Sequence, residues 1–210
     1  MTNIGDIYAF GYGISVISTD LLTEYLKENK CKAKKLLTYL DKNKDFFHQM
    51  IKDGRILPFY QIPMFNYQIF VSINELETNI PKDYKKIFQY DNFFIEVGQL
   101  NKICFTNLDY LEHHLGKIKQ NITEDFKTIP SGSESIPVKC NYAIGFELPK
   151  GKYEFDIIGL KRQEETKNES KNLAYMFTFR KNDNAINENF EKGDNEKSTF
   201  DIGRYEKNYR

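Results

Sequence analysis

The 210-residue chain has no tryptophan, only three cysteines, three histidines and six prolines, and no net charge. Each shortage removes a class of protein. Cys31, Cys104 and Cys140 are far apart and odd in number, and no CxxC pair exists. That argues against structural zinc, a thioredoxin-like motif and a disulfide-held miniprotein. Cys104 and Cys140 lie in apolar runs and read as core thiols, a usage that fits a reducing compartment. No stretch approaches the ~18 apolar residues that a membrane helix needs, so no membrane partner is expected. Residues 1–6 carry no basic segment leading into a long apolar run, and the sequence expects a cytoplasmic protein. Thirty basic side chains balance thirty acidic ones, and only five of the basic ones are arginine. A nucleic-acid partner is therefore not expected: there is no overall positive field and little of the bidentate donor that reads phosphate and guanine.

Catalytic signatures are missing too. There is no GxSxG, HExxH, P-loop or GxGxxG. Gly11-Tyr12-Gly13 is a lone GxG between two strand-like runs and reads as a hairpin turn. His113 and His114 are adjacent, so on a helix they point about 100° apart and cannot share one metal. Asp109 and His113 share a helical face, but zinc catalysis takes three protein ligands and no third is evident. Neither Cys31 nor Cys104 has a recognisable activating neighbour. The sequence thus gives no catalytic set, no metal and no cofactor, and it leans away from an enzyme.

What is present is a well-patterned α+β chain, in which antiparallel sheets accompany two or three helices. Forty per cent of residues are hydrophobic and 15% aromatic, enough for a core in a chain of this length. Ile7–Phe10 and Ile14–Ser18 read as strands. Thr19-Asp20 reads as a cap, with Leu21, Leu22, Tyr25 and Leu26 at helical spacing behind it. Leu36, Leu37, Leu40, Phe47, Met50 and Ile51 continue a helical face until Gly54. Pro58 and Pro63 suggest a sheet edge or a bend before a strand at Tyr67–Ile73. Pro81–Phe88 reads as a helical turn, Asn92–Val97 and Lys102–Phe105 as paired strands, and Leu108, Leu111, Leu115 and Ile118 as one helix face. After a loop at 128–137, strands are expected at Val138–Leu148, Tyr153–Lys161 and Leu173–Arg180.

Two segments are alike. GYGISVISTDL at Gly11–Leu21 can be laid on GQLNKICFTNL at Gly98–Leu108 without a gap. The order hairpin, helix, strand recurs, which suggests two duplicated ββαβ units. A unit of that kind leaves a sheet face and edge uncovered, and pairing two would complete a core. The expected organisation is a first unit at 1–80, a second with an extra hairpin at 81–180, and a charged, mostly disordered tail at 181–210 that is too poor in apolar residues to offset its ordering entropy.

The function expected by elimination is protein binding by surface occlusion, of the kind shown by an immunity protein that neutralises a toxin domain. Phe59, Tyr60 and Phe65 are the apolar candidates, because two prolines argue against regular sheet burial there. Lys30, Lys32, Lys34 and Lys35 are the charged ones, placed at the start of the long helix, preceded by Glu24 and Glu28 with i,i+4 spacing from Glu28 to Lys32, and suited to an acidic protein surface. The alternative is a small-ligand binder or enzyme with its site between the two units, built from His113, Asp109 or Cys104.

Overall fold

The structure is a computed structural model. It describes residues 1–74, 79–119, 124–131, 134–166, 171–185 and 200–207, without the side chains of 117–140 and 205–207. The fold is α+β, as the sequence expects. A five-stranded sheet is built from β1 (Thr2–Tyr8), β4 (Asn66–Ile73), β11 (Leu173–Lys181), β10 (Gly151–Arg162) and β5 (Tyr84–Val97), in that order. A four-stranded sheet has the order β3 (Ile56–Tyr60), β2 (Gly13–Ile17), β6 (Lys102–Asn107) and β9 (Ala143–Glu147). The helices are α1 (Thr19–Glu28), α2 (Leu36–Lys42), α3 (Lys44–Lys52), α4 (Leu108–Lys119) and α5 (Ile202–Lys207). A separate ribbon pairs β7 (Glu124–Ser131) with β8 (Glu134–Asn141). All pairings are antiparallel except β11 with β4.

Period-two patterning sets the layers. Tyr175, Phe177 and Phe179 alternate along β11, and Tyr153, Phe155 and Ile157 along β10, all buried on the face that meets the smaller sheet. There Phe177 meets Phe105 at 4.7 Å and Phe59 at 5.9 Å between ring centroids. Every residue of β2 is buried, because helices cover the other face of its sheet. Leu22 and Leu26 of α1, and Phe47, Met50 and Ile51 of α3, supply the helical stripe at the spacing the sequence predicts. A smaller cluster on the far side of the large sheet holds Phe70, Tyr84, Ile158, Leu160, Ala174 and Met176, with Ile80 against it.

Several local expectations are corrected. Gly11–Gly13 is not a hairpin turn: β1 pairs with β4 while β2 pairs with β3 and β6, so this link carries the chain from one sheet to the other. The link between β5 and β6 does the same. The helix expected across 36–51 is two helices. Asn43 leaves helical geometry (φ −126°, ψ 62°), and its side-chain Nδ2 donates to the Tyr39 carbonyl at 2.8 Å, which competes with helix continuation. At 81–88 there is only one turn, closed by Tyr84 N–H to Pro81 O at 2.8 Å. From Tyr84 the ladder with β10 takes over. The loop expected at 128–137 falls in the β7–β8 ladder. Pro58 does sit in an edge strand, as its missing N–H requires.

The duplication is not shown, but the halves thread the sheets alike. In each, a strand at one margin of the large sheet leads to an inner strand of the small sheet. A helical segment follows, then (after the β7–β8 ribbon in the second half) an outer strand of the small sheet, then a strand beside the first. The helices α1 and α4 start at Thr19 and Leu108, two residues out of step with the sequence match. Of the expected tail, 186–199 and 208–210 lie outside the described residues. Phe200 and Ile202 are fully buried, so the expectation of disorder does not extend to them.

Candidate protein-binding surface

Two loops meet where the chain crosses between sheets. Residues 9–12 leave β1, and residues 61–65 link β3 to β4. Backbone hydrogen bonds tie them together: Ala9 N–H to Phe65 O at 3.0 Å and Ile62 N–H to Tyr12 O at 3.1 Å. The second loop is pinned again by the fully buried Ile62 and by the Tyr67 hydroxyl, which donates to Pro63 O at 3.0 Å. Gly11 has φ +76°, and a Cβ there would stand 2.7 Å from the Asp109 amide nitrogen, so only glycine lets this turn lie against the start of α4.

Tyr12 (φ 57°) and Gln61 (φ 59°) also adopt left-handed backbone without being glycine. Such residues persist only where their surroundings over-determine them, and they gather at functional surfaces. Tyr12 is 60% exposed, Phe65 46% and Met64 41%, large apolar side chains held out to solvent. Between the loops runs an open, mostly apolar groove of about 510 Å³ lined by Gly11, Tyr12, Tyr60, Gln61, Ile62 and Pro63.

Of the apolar residues picked from sequence, Phe65 and Tyr60 belong to this surface and Phe59 does not. Phe59 is 1% exposed, faces the large sheet and packs on Phe177 and Phe200. Strand alternation separates it from Tyr60, which ends β3 half-buried beside the groove. Tyr12 and Met64 were missed. The signal for Tyr12 was an aromatic between two glycines, a position with little claim on a core.

Lys30, Lys32, Lys34 and Lys35 are exposed, but not on a helix: they occupy the link between α1 and α2, where Lys30 has φ 55°. The expected ion pairs to Glu24 and Glu28 do not form among the described residues. Beside this link is a second groove, of about 450 Å³, bounded by α1, the lysine link and α4. Glu112 from α4 crosses to cap α2. Its carboxylate accepts from the Leu37 amide and, at 3.3 Å, from the Thr38 amide, and the Thr38 hydroxyl also donates to it.

The residues of the alternative site do not converge. Cys104 is buried in β6, and burial pushes its thiol up to about 12, which keeps it protonated. His113 lines the groove between α1 and α4. Among the described residues no three His, Cys, Asp or Glu side chains are grouped as metal ligands, and no helix is long and apolar enough to cross a membrane.

No protein-family model and none of the curated proteins matches the chain. Among solved structures it is similar to the crystal structure of ComJ, inhibitor of the DNA degrading activity of NucA, from Bacillus subtilis. The TM-score is 0.40 at 11% identity, over 84% of this chain and 93% of that one, a loose correspondence that spans most of both.

Proposed function

We infer that this is a non-enzymatic protein-binding protein that acts in the cytoplasm by covering a partner's surface. In its most specific form it is an immunity-type protein neutralising a toxin domain. One observation carries the reading: Tyr12, Met64 and Phe65 are exposed on loops already fixed by cross-loop hydrogen bonds and a buried anchor. Exposed apolar side chains concentrated on one surface mark interaction sites, and aromatics are the usual hot spots. Because the loops are held before contact, little conformational entropy is lost on docking. The mechanism is steric: the rings enter a recess on the partner, the groove beside Tyr60 receives a side chain in return, and substrate access to the covered face ends.

The test is affinity capture with the full chain as bait, followed by titration of the identified partner. Phe65→Ala removes one ring, and Tyr12→Gly removes the other while relieving the left-handed backbone. Each is expected to weaken the partner's affinity about tenfold or more, with the thermal midpoint almost unmoved. For a toxin-domain partner, one equivalent of wild-type protein should abolish activity. A partner whose affinity ignores both substitutions overturns the reading, as does small-molecule turnover with no protein partner.

A further inference from the structure

The groove between α1 and α4 differs from the loop surface in character. Its floor is apolar: Leu26, Leu36 and Leu111 are buried there, with Leu115 half-buried beside them. Its rim is cationic. Lys27 and Lys34 line it, and Lys30, Lys32 and Lys35 stand on the same link. Among the described residues none of these five lysines makes an ion pair. In a chain with no net charge this is a local concentration, five lysines against the three glutamates Glu24, Glu28 and Glu112. The carboxylate of Glu112, which also lines the groove, is held by the amides that open α2 and keeps its charge, so the rim stays cationic by excess of lysine and not by absence of acid.

The geometry points to one occupant: an acidic, amphipathic peptide segment of the partner protein, its apolar side chains on the leucine floor and its carboxylates on Lys27 and Lys34. This rests on reading the protein as one that covers a partner's surface, and it gives that partner a chemistry. Charge complementarity selects an anion, and the apolar floor selects a segment with hydrophobic anchors over a plain polyanion. Lysine without arginine, in a neutral chain, disfavours a nucleic-acid backbone. The site adjoins the loop surface through α4. Gly11 rests against Asp109 in the first turn of α4, and Leu111, Glu112 and Leu115 in the following turns line the groove.

The probe is a synthetic peptide rich in Asp and Glu with leucines at helical spacing. Its controls are an oligo-aspartate of equal length, the same peptide with Asn and Gln for the acids, a single-stranded oligonucleotide and anionic phospholipid vesicles. Binding to the full chain is followed by fluorescence anisotropy and by amide shifts of Lys27, Lys34 and Leu111. The acidic leucine peptide is expected to bind, to be weakened by added salt, and to lose about tenfold in affinity in the exposed-site double variant Lys27→Gln/Lys34→Gln. Ala33→Trp, which fills the groove from its exposed rim, should block it, while Phe65→Ala should leave it unchanged. Equal binding of oligo-aspartate, oligonucleotide or vesicles overturns the proposal, as does no binding of the peptide or no effect of the lysine variant. The outcomes separate from the loop test. Peptide binding that persists beside a partner indifferent to Tyr12 and Phe65 leaves the groove assigned and removes the occlusion reading. The reverse result removes only the groove.

Discussion

Cys104 illustrates how a single side chain ties pH to stability. Its thiol pKa is pushed up from 9.0 to about 12 because the charged form would sit in an apolar interior, with Lys102 offsetting only part of that cost. Tyr67 and Tyr175 are shifted the same way, each chiefly by burial. A raised folded-state pKa stabilises the fold fully below the unfolded-state pKa and loses that stabilisation as pH rises towards the folded one. The unfolding free energy should therefore fall above pH 9.0 for Cys104, by at most about 1.4 kcal/mol per pH unit for one group. The tyrosines join above pH 10.0. Urea unfolding across that range checks it, and Cys104→Ala should delay the onset. A curve indifferent to Cys104 would mean that the thiol ionises without unfolding. The same apolar setting is why Cys104 was legible from sequence as a core thiol. The split between Phe59 and Tyr60 was not, because a run of aromatics between prolines does not say which face each ring takes.

Helices here depend on partners from other elements. α2 has only seven residues, too short to stand alone, and its N-cap residue is Lys35, which offers no side-chain acceptor. The Glu112 carboxylate supplies that acceptor from α4, bonding the Leu37 and Thr38 amides. Glu112→Ala should cost about 0.5–2 kcal/mol, the usual range for losing a cap, and should speed hydrogen exchange at Leu37 and Thr38 ahead of the rest of the chain. Uniform exchange in the variant would show that α2 is held by packing alone. Periodicity predicted the apolar faces of α1 and α3 correctly but ran α2 and α3 together, because Leu40 and Phe47 keep helical spacing across the break at Asn43. The pairing of β1 with β2 failed for a related reason. Two apolar runs around glycines look alike whether the chain turns back within a sheet or steps to the next one.

For the molecule as a whole, closure of the core comes from the far end of the chain. Phe200 is fully buried among Phe59, Phe88, Tyr90 and Phe93, and its carbonyl accepts from the Tyr175 hydroxyl at 2.6 Å. The socket draws on both halves and both sheets. Phe200→Ala should destabilise by about 3–5 kcal/mol, a large share of the stability of a domain this size, measured as a fall in the urea midpoint. Truncation after 199 should do at least as much, since it also leaves the Tyr175 hydroxyl buried and unpaired. A truncated chain as stable as the full one would show that Phe200 fills a space the core does not need.

The sequence by itself determined the α+β class, the main strands, the amphipathic helical faces and the thiol character of Cys104, because burial patterning is local and repeats at the period of each element. Only the tertiary structure decided which strands share a sheet and that Phe200 belongs to the core. It alone decided that Tyr12 and Phe65 meet on one surface and that Glu112 caps a helix far from it in sequence. Those outcomes are set by contacts between residues distant along the chain, and no short window of sequence contains both partners.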